Sequence, residues 1–380
     1  MCYKEKEYMM KKVSLILISL CLVFSLVACG GNNANTSSDS GNSQTAETGG
    51  DMAEGSRHLL IATTSPNSTG EDVGPYTGQK AIVVMKQHMA EISEGKLTAE
   101  CSWGAALGNT AQLFAQTSAG DIDIHMCGLD TLTTLKGAED TAVFSVPYLF
   151  DDFDHLKRYT DSESFANLIS EVEEQNNLKW IGLLAPSMPR SLNTIKPISH
   201  PDDLNNMKIR VAENPAATAI WTAWGANPVV LPATEVYSGL ENNLCDGWEN
   251  AITAFYNMKT YEVAPYITEI DYVQQGICCF MSMDTWNSLS EEEQQWVLDS
   301  MDFAYENAMD ISYGSGIDGV PYYEYEKAQF AEDPDCNAVF VEDVDLEAFQ
   351  TTALEAARDL EGDLFSEGLI DDIRALSEGE

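Results

Sequence analysis

Arg210 stands inside the alternating run Lys208-Ile209-Arg210-Val211, and no lysine or arginine occurs from Val211 to Met258. Downstream, Cys245-Asp246-Gly247-Trp248-Glu249-Asn250 sets a turn glycine among an acid, an aromatic and an amide. A planar guanidinium isolated in this way suits a fixed carboxylate, which it can grip through two parallel hydrogen bonds. That carboxylate belongs either to a ligand or to an internal Arg–Glu bridge. Lys179, Arg190, Lys196, Lys208 and Arg210 form a basic cluster, and Trp248, Asn250 and Tyr272 add polar-aromatic groups. Apolar walls with a few converging polar groups are what a small organic ligand requires. Ordinary core packing competes as the explanation of Trp248 and Tyr272.

Other chemistries find little support. His58, His88, His125, His155 and His200 are scattered, with no H-E-x-x-H spacing, so no metal is implied. No G-x-S-x-G elbow or phosphate-binding P-loop is present, so no catalytic residue and no cofactor is assigned. Gly314 to Gly319 (GSGIDG) matches G-x-G-x-x-G, but a helical pattern precedes it where a dinucleotide site needs a strand. It reads as a helix break. Cys127, Cys278 and Cys279 lie in apolar runs, where cysteine acts as a small hydrophobe.

The elements that must position the arginines follow from periodicity. Strands are predicted at 58–63, 97–103 and 121–127, with helices at 79–93 and 110–118 between them. This β-α-β-α-β order implies a parallel sheet covered by helices. The apolar stretch 142–149 contains Pro147 and reads as a link. A second set comprises strands at 179–185, 191–195, 207–211, 229–231 and 274–281 and helices at 215–224 and 234–242. Ser290 and Glu293 form a capping box that opens a long helix to about residue 312, and a further helical stretch runs to Phe330. The fold class is α/β with two domains and more than one crossing between them.

The N-terminus addresses the compartment. Lys11-Lys12 precede an apolar run, 13–27, that ends at Leu26-Val27-Ala28-Cys29, a secretory signal too short for a membrane span. Leu-Val-Ala-Cys resembles the lipobox of bacterial lipoproteins, which implies a signal peptide over 1–28 and a lipid on Cys29. Met9 or Met10 makes a more ordinary start than Met1. Loss of 1–28 removes four lysines and two glutamates, moving the net charge from −41 to −43. So acidic a chain excludes nonspecific nucleic-acid binding and a polybasic membrane patch, leaving the lipid as the anchor. Residues 30–56, rich in Gly, Asn, Ser and Thr, read as a flexible tether.

From about Arg57 to Phe330 the chain resembles the DctP-type solute-binding proteins of tripartite ATP-independent periplasmic (TRAP) transporters. The markers are Ala106-Leu107-Gly108, Pro147-Tyr148-Leu149-Phe150, Lys208-Ile209-Arg210-Val211, Gly225-Ala226-Asn227-Pro228, Glu235-Val236-Tyr237 and Asp246-Gly247-Trp248-Glu249-Asn250, the last extended by Lys259 and Tyr261-Glu262-Val263. The resemblance implies a two-domain periplasmic-binding-protein-like fold with hinge strands and a long helix spanning both domains. It allocates 57–187 with 276–313 to one domain and 188–275 with 314–375 to the other. It also implies that Arg210 clamps a ligand carboxylate, with Arg190 and Asn250 reaching the same organic anion. No reaction is performed, and small and large membrane subunits receive the ligand. Many members carry Gln or Ala at the position of Trp248, Pro at that of Ala251 and an aromatic at that of Ala233. Trp248, Tyr272 and Ala233 are therefore expected to decide which acid binds, with C4-dicarboxylates, sugar acids, keto acids and aromatic acids all open. A receptor for an ATP-driven importer, a sensor, and an extracytoplasmic enzyme acting on organic acids are the alternatives.

Overall fold

A computed structural model describes residues 56–65, 77–316 and 319–377; the lipobox cysteine Cys29 and the tether lie outside them. Strand β1 (Arg57–Thr63) is followed by helix α1 (Thr77–Ile92), β2 (Leu97–Ser102), α2 (Thr110–Ala119) and β3 (Ile124–Gly128). Two 3-10 turns, Leu129–Thr134 and Glu139–Ser145, lead to α3 (Phe153–Thr160), α4 (Glu163–Asn176) and β4 (Leu178–Pro186). Next come β5 (Arg190–Thr194), β6 (Lys208–Val211), α5 (Pro215–Ala223), β7 (Asn227–Val230), α6 (Val236–Glu241), β8 (Gly247–Ala251), α7 (Ile252–Asn257) and β9 (Tyr266–Thr268). The chain then returns through β10 (Gly276–Ser282), α8 (Met283–Ser288) and the long α9 (Glu291–Tyr313). It ends with α10 (Tyr322–Glu332), β11 (Val339–Phe340), α11 (Leu346–Arg358) and α12 (Leu369–Arg374).

The strands form two sheets, in the orders β2-β1-β3-β10-β4 and β11-β9-β5-β8-β6-β7. In the first, β1 runs parallel to β2 and β3, as the β-α-β-α-β order requires, and β10 inserts antiparallel between β3 and β4. Strand alternation decides which side chains face which helices. Ile277, Cys279 and Met281 of β10 join Val297, Met301 and Ala304 of α9 on one face. Cys278 and Phe280 join Phe114 of α2 and Phe165 of α4 on the other. Covered on both faces, β10 is continuously apolar rather than alternating.

Helix α9 begins as the sequence implies, with the Ser290 hydroxyl accepting from the Glu293 amide and the Glu293 carboxylate accepting from the Ser290 amide. Three glutamates in its first turn complement the helix dipole. It stops at Tyr313, ahead of the glycine run. The expected helix over 234–242 is instead a 3-10 turn, Ala233–Glu235, followed by α6. The expected third strand starts later, at Ile124. Asp123 turns its carboxylate to the Leu60 amide at 2.7 Å and to the Thr285 hydroxyl at 2.8 Å.

The C-terminal segment touches elements of both expected domains. Helix α11 does pack on α5, where the Trp224 and Phe349 rings lie 5.5 Å apart. Beyond it the chain turns back to α3. His155 accepts the Asp151 amide on Nδ1, and its Nε2 donates to the Ile373 carbonyl at 2.8 Å. Arg374 pairs with Asp151 at 2.9 Å. Among the described residues no helix is long and apolar enough to cross a membrane.

Candidate ligand-binding site

The arginines meet at one edge of the second sheet. Strands β6 and β8 run parallel, so Arg210 and Asn250 both lie toward their carboxyl ends. Antiparallel β5 brings its first residue, Arg190, opposite Ala251 at that same edge. Ligands of open α/β sheets gather beyond such carboxyl ends. Gly247 permits this packing: a Cβ there would lie 2.6 Å from Thr194 Cγ2 and 2.9 Å from the Asn193 carbonyl.

Alternation along β8 sends Trp248 and Glu249 to opposite faces. Glu249 is buried and takes both arms of the Arg190 fork, Nε to Oε2 at 2.5 Å and Nη2 to Oε1 at 2.8 Å. The Tyr272 hydroxyl donates to Oε2 at 2.7 Å. Burial alone would lower the Arg190 pKa, but the Glu249 carboxylate more than offsets it and holds the guanidinium firmly charged. Burial, then Glu249, pushes the Tyr272 phenol well above its ordinary value. The internal Arg–Glu bridge that the sequence leaves open for Arg210 is thus made by Arg190.

Arg210 lies on the other face, between Ile209 and Val211, which point into the core beneath α5. It is only 4% exposed, and its Nε donates to the Leu231 carbonyl at 2.8 Å. Among the described residues no carboxylate lies within ion-pair distance of it; Glu249 is engaged by Arg190. Its pKa is lowered, chiefly by burial; Glu249 partly offsets this and Arg190 reinforces it. A buried cation without a counter-ion is costly. Arg210 therefore gains more than any other group here from an incoming carboxylate.

Beside the bridge lies a cavity of about 20 Å³, lined by Arg190, Glu249, Tyr272, Asn214, Ser145, Asp130 and Gln275 with Ala212, Ala217 and Val273. That is room for about one water, so an organic ligand requires its walls to separate. The walls draw on both sheets: Asp130 and Gln275 adjoin β3 and β10, Arg190 and Glu249 lie on β5 and β8, and Ser145 ends the second 3-10 turn. Asn214 caps α5 and donates to the Ser145 hydroxyl at 2.8 Å, tying the two sides together. Burial, and then Glu249, raises the Asp130 pKa, although Arg190 opposes the shift. A larger cavity, about 670 Å³, is lined by Glu139, Asp140, Glu213 and Asp363 without any lysine or arginine. Its charge repels anions, so size does not make it the site for an acid.

The remaining sequence candidates fall in different places. Tyr272 lines the small cavity and stacks edge-on with Trp221 and Trp224 at 5.5 and 5.7 Å. Trp248 is fully buried on the opposite face, against Phe255, and its Nε1 donates to Asn193 Oδ1 and Thr260 Oγ1, each at 3.1 Å. It is a core residue, not a cavity wall. Ala233 is exposed in its 3-10 turn and lies off the cavity. Asn250 is half-buried and its Oδ1 accepts the Ala251 amide at 2.8 Å. Asp130, Ser145, Asn214, Glu249 and Gln275 were not singled out by sequence reasoning. Only Glu249 carried a signal, since alternation across Trp248-Glu249-Asn250 places an acid opposite the tryptophan. Among the described residues no group of three His, Cys, Asp or Glu side chains is arranged to hold a metal.

The sequence model of bacterial extracellular solute-binding protein, family 7 (DctP), matches residues 74–313. A solute-binding protein of Roseobacter denitrificans is 26% identical over 276 residues, 73% of this chain and 80% of the relative. A TRAP periplasmic solute-binding protein of Sulfitobacter sp. NAS-14.1, solved with β-D-galacturonate, superposes with a TM-score of 0.68 at 20% identity, covering 84% of this chain and 99% of that one. One of Sulfurospirillum deleyianum, solved with succinate, gives a TM-score of 0.68 at 22% identity over 84% and 99%. The two-domain α/β fold is shared with both.

Proposed function

The chain belongs to bacterial extracellular solute-binding protein family 7, and from that premise we propose that it is the extracytoplasmic receptor of a TRAP transporter. It captures an organic acid between the two sheet-bearing halves and hands it unchanged to the small and large membrane subunits. The observation that carries this reading is the buried Arg210 guanidinium, which lacks a carboxylate among the described residues while Arg190 beside it is saturated. In this reading Arg210 clamps the solute's carboxylate, Asn250 adds a polar contact, and Arg190, Glu249 and Tyr272 form a rigid charged wall. The halves that close on the solute are 57–187 with 276–313 and 188–275 with 314–375. Cys29 carries a lipid that holds the receptor at the outer face of the cytoplasmic membrane. Intact-mass analysis of the mature N-terminus tests this, since an unmodified Cys29 refutes the anchor.

Calorimetry of Arg210→Ala tests the clamp. Removing one partner of a buried ion pair costs about 3–5 kcal/mol, so affinity for the acid should fall at least about a hundredfold. Arg210→Lys should also bind poorly, because an ammonium cannot reproduce the planar fork. Unchanged affinity in Arg210→Ala refutes the assignment.

A further inference from the structure

Asp130 introduces an acid into a site otherwise suited to anions. It follows β3 at the start of a 3-10 turn and faces the cavity formed by Arg190, Glu249 and Tyr272. Its carboxyl accepts a hydrogen bond from the Gln275 side chain, which approaches from the start of β10. Gly128 makes the placement possible, because a Cβ there would fall on the Asp130 Oδ1. The carboxyl is therefore packed under the backbone rather than swinging in solvent.

The cavity is lined by the Arg190 guanidinium, the Tyr272 phenol and the carboxyls of Glu249 and Asp130, and Arg210, on the other face of the sheet, is close enough to feel the charges of Glu249 and Arg190. Glu249 consumes the charge of Arg190. One entering carboxylate balances Arg210. A second carboxylate on the same molecule finds no further cation among the described residues lining the cavity and meets Asp130 and Glu249 instead. A hydroxyl in that position finds acceptors in Asp130, Ser145 and the Asn214 and Gln275 amides.

We propose that Asp130 is a specificity-determining residue of this site: its carboxyl receives a hydroxyl on the part of the solute remote from the acid group, so that hydroxylated monocarboxylates are selected and dicarboxylates rejected. This rests on the reading of Arg210 as the carboxylate clamp. Selection operates by repelling the wrong ligand as well as by contacting the right one.

The test is calorimetry of the mature chain and of Asp130→Asn with D-galacturonate and D-erythronate as hydroxylated monoacids and succinate as the dicarboxylate. The native protein binds the tighter monoacid at least about tenfold better than succinate, and Asp130→Asn narrows that ratio about tenfold. A ratio avoids dependence on how much of the variant is folded, and the native ratio needs no variant at all. Succinate bound as tightly as either monoacid, no binding of either monoacid, or an unchanged ratio in Asp130→Asn each overturns the inference. Arg210→Ala separates the two claims. Loss of all binding there with an unchanged Asp130→Asn ratio keeps the clamp and removes the selector, whereas binding retained in Arg210→Ala removes the clamp itself.

Discussion

Replacing Glu249 by glutamine distinguishes the two arginines by their opposite roles. Glu249 is 2% exposed and receives two hydrogen bonds from Arg190 and one from Tyr272. Glu249→Gln keeps an acceptor for the tyrosine but leaves Arg190 charged, buried and near a second cation. Breaking a buried pair in this way costs about 3–5 kcal/mol, and the retained tyrosine bond places this case near about 3 kcal/mol. At about 2 °C per kcal/mol for a chain of this size, the ligand-free protein should melt about 6 °C lower. Arg210→Ala should behave differently. It loses one hydrogen bond to the Leu231 carbonyl, about 1 kcal/mol, but also removes a guanidinium whose charge burial already disfavours. Its ligand-free stability should remain within about 1 kcal/mol of the native value while solute binding is lost. Thermal unfolding followed by circular dichroism, with urea titration as a second measure, reads both variants. A Glu249→Gln protein as stable as the native one, or an Arg210→Ala protein less stable than Glu249→Gln, would refute the assignment of the bridge to Arg190.

Two further outcomes test the supporting structure. His125 is fully buried, with Nδ1 at 3.1 Å from the Ala62 carbonyl, and burial lowers its pKa from 6.5 to about 4. A depressed pKa makes folding resist protonation, so its contribution is present above pH 6.5 and lost as pH falls toward 4, amounting to about 3 kcal/mol. Urea midpoints at pH 7 and 4.5 should differ less in His125→Gln than in the native protein; an identical difference rejects the account. Trp248→Phe keeps a ring in the core but forfeits the indole bonds to Asn193 and Thr260, which should cost about 1–3 kcal/mol of stability. Solute preference should not change, and a shift in the preferred acid measured by calorimetry would return Trp248 to the ligand site.

The sequence by itself determined the local elements and the chemistry on offer. Alternating and helical periods located β1, β2, α1, α2 and β10 within a few residues, and the Ser290/Glu293 box marked the start of α9, because these signals reside in short segments. The absence of lysine and arginine from Val211 to Met258 likewise needed no fold to be seen. The pairing of Arg190 with Glu249, 59 positions away, was decided only when β5 and β8 came together antiparallel. Alternation showed that Trp248 and Glu249 face opposite ways, but not which face Phe255 and Phe330 would cover. That covering made Trp248 core and left Glu249 to the cavity. Asp130 and Gln275, from the ends of β3 and β10, became part of one site with Arg190 because their strands are neighbours in the first sheet and approach the edge of the second. The residue types name the chemistry, whereas long-range strand pairing selects which charges remain free to perform it.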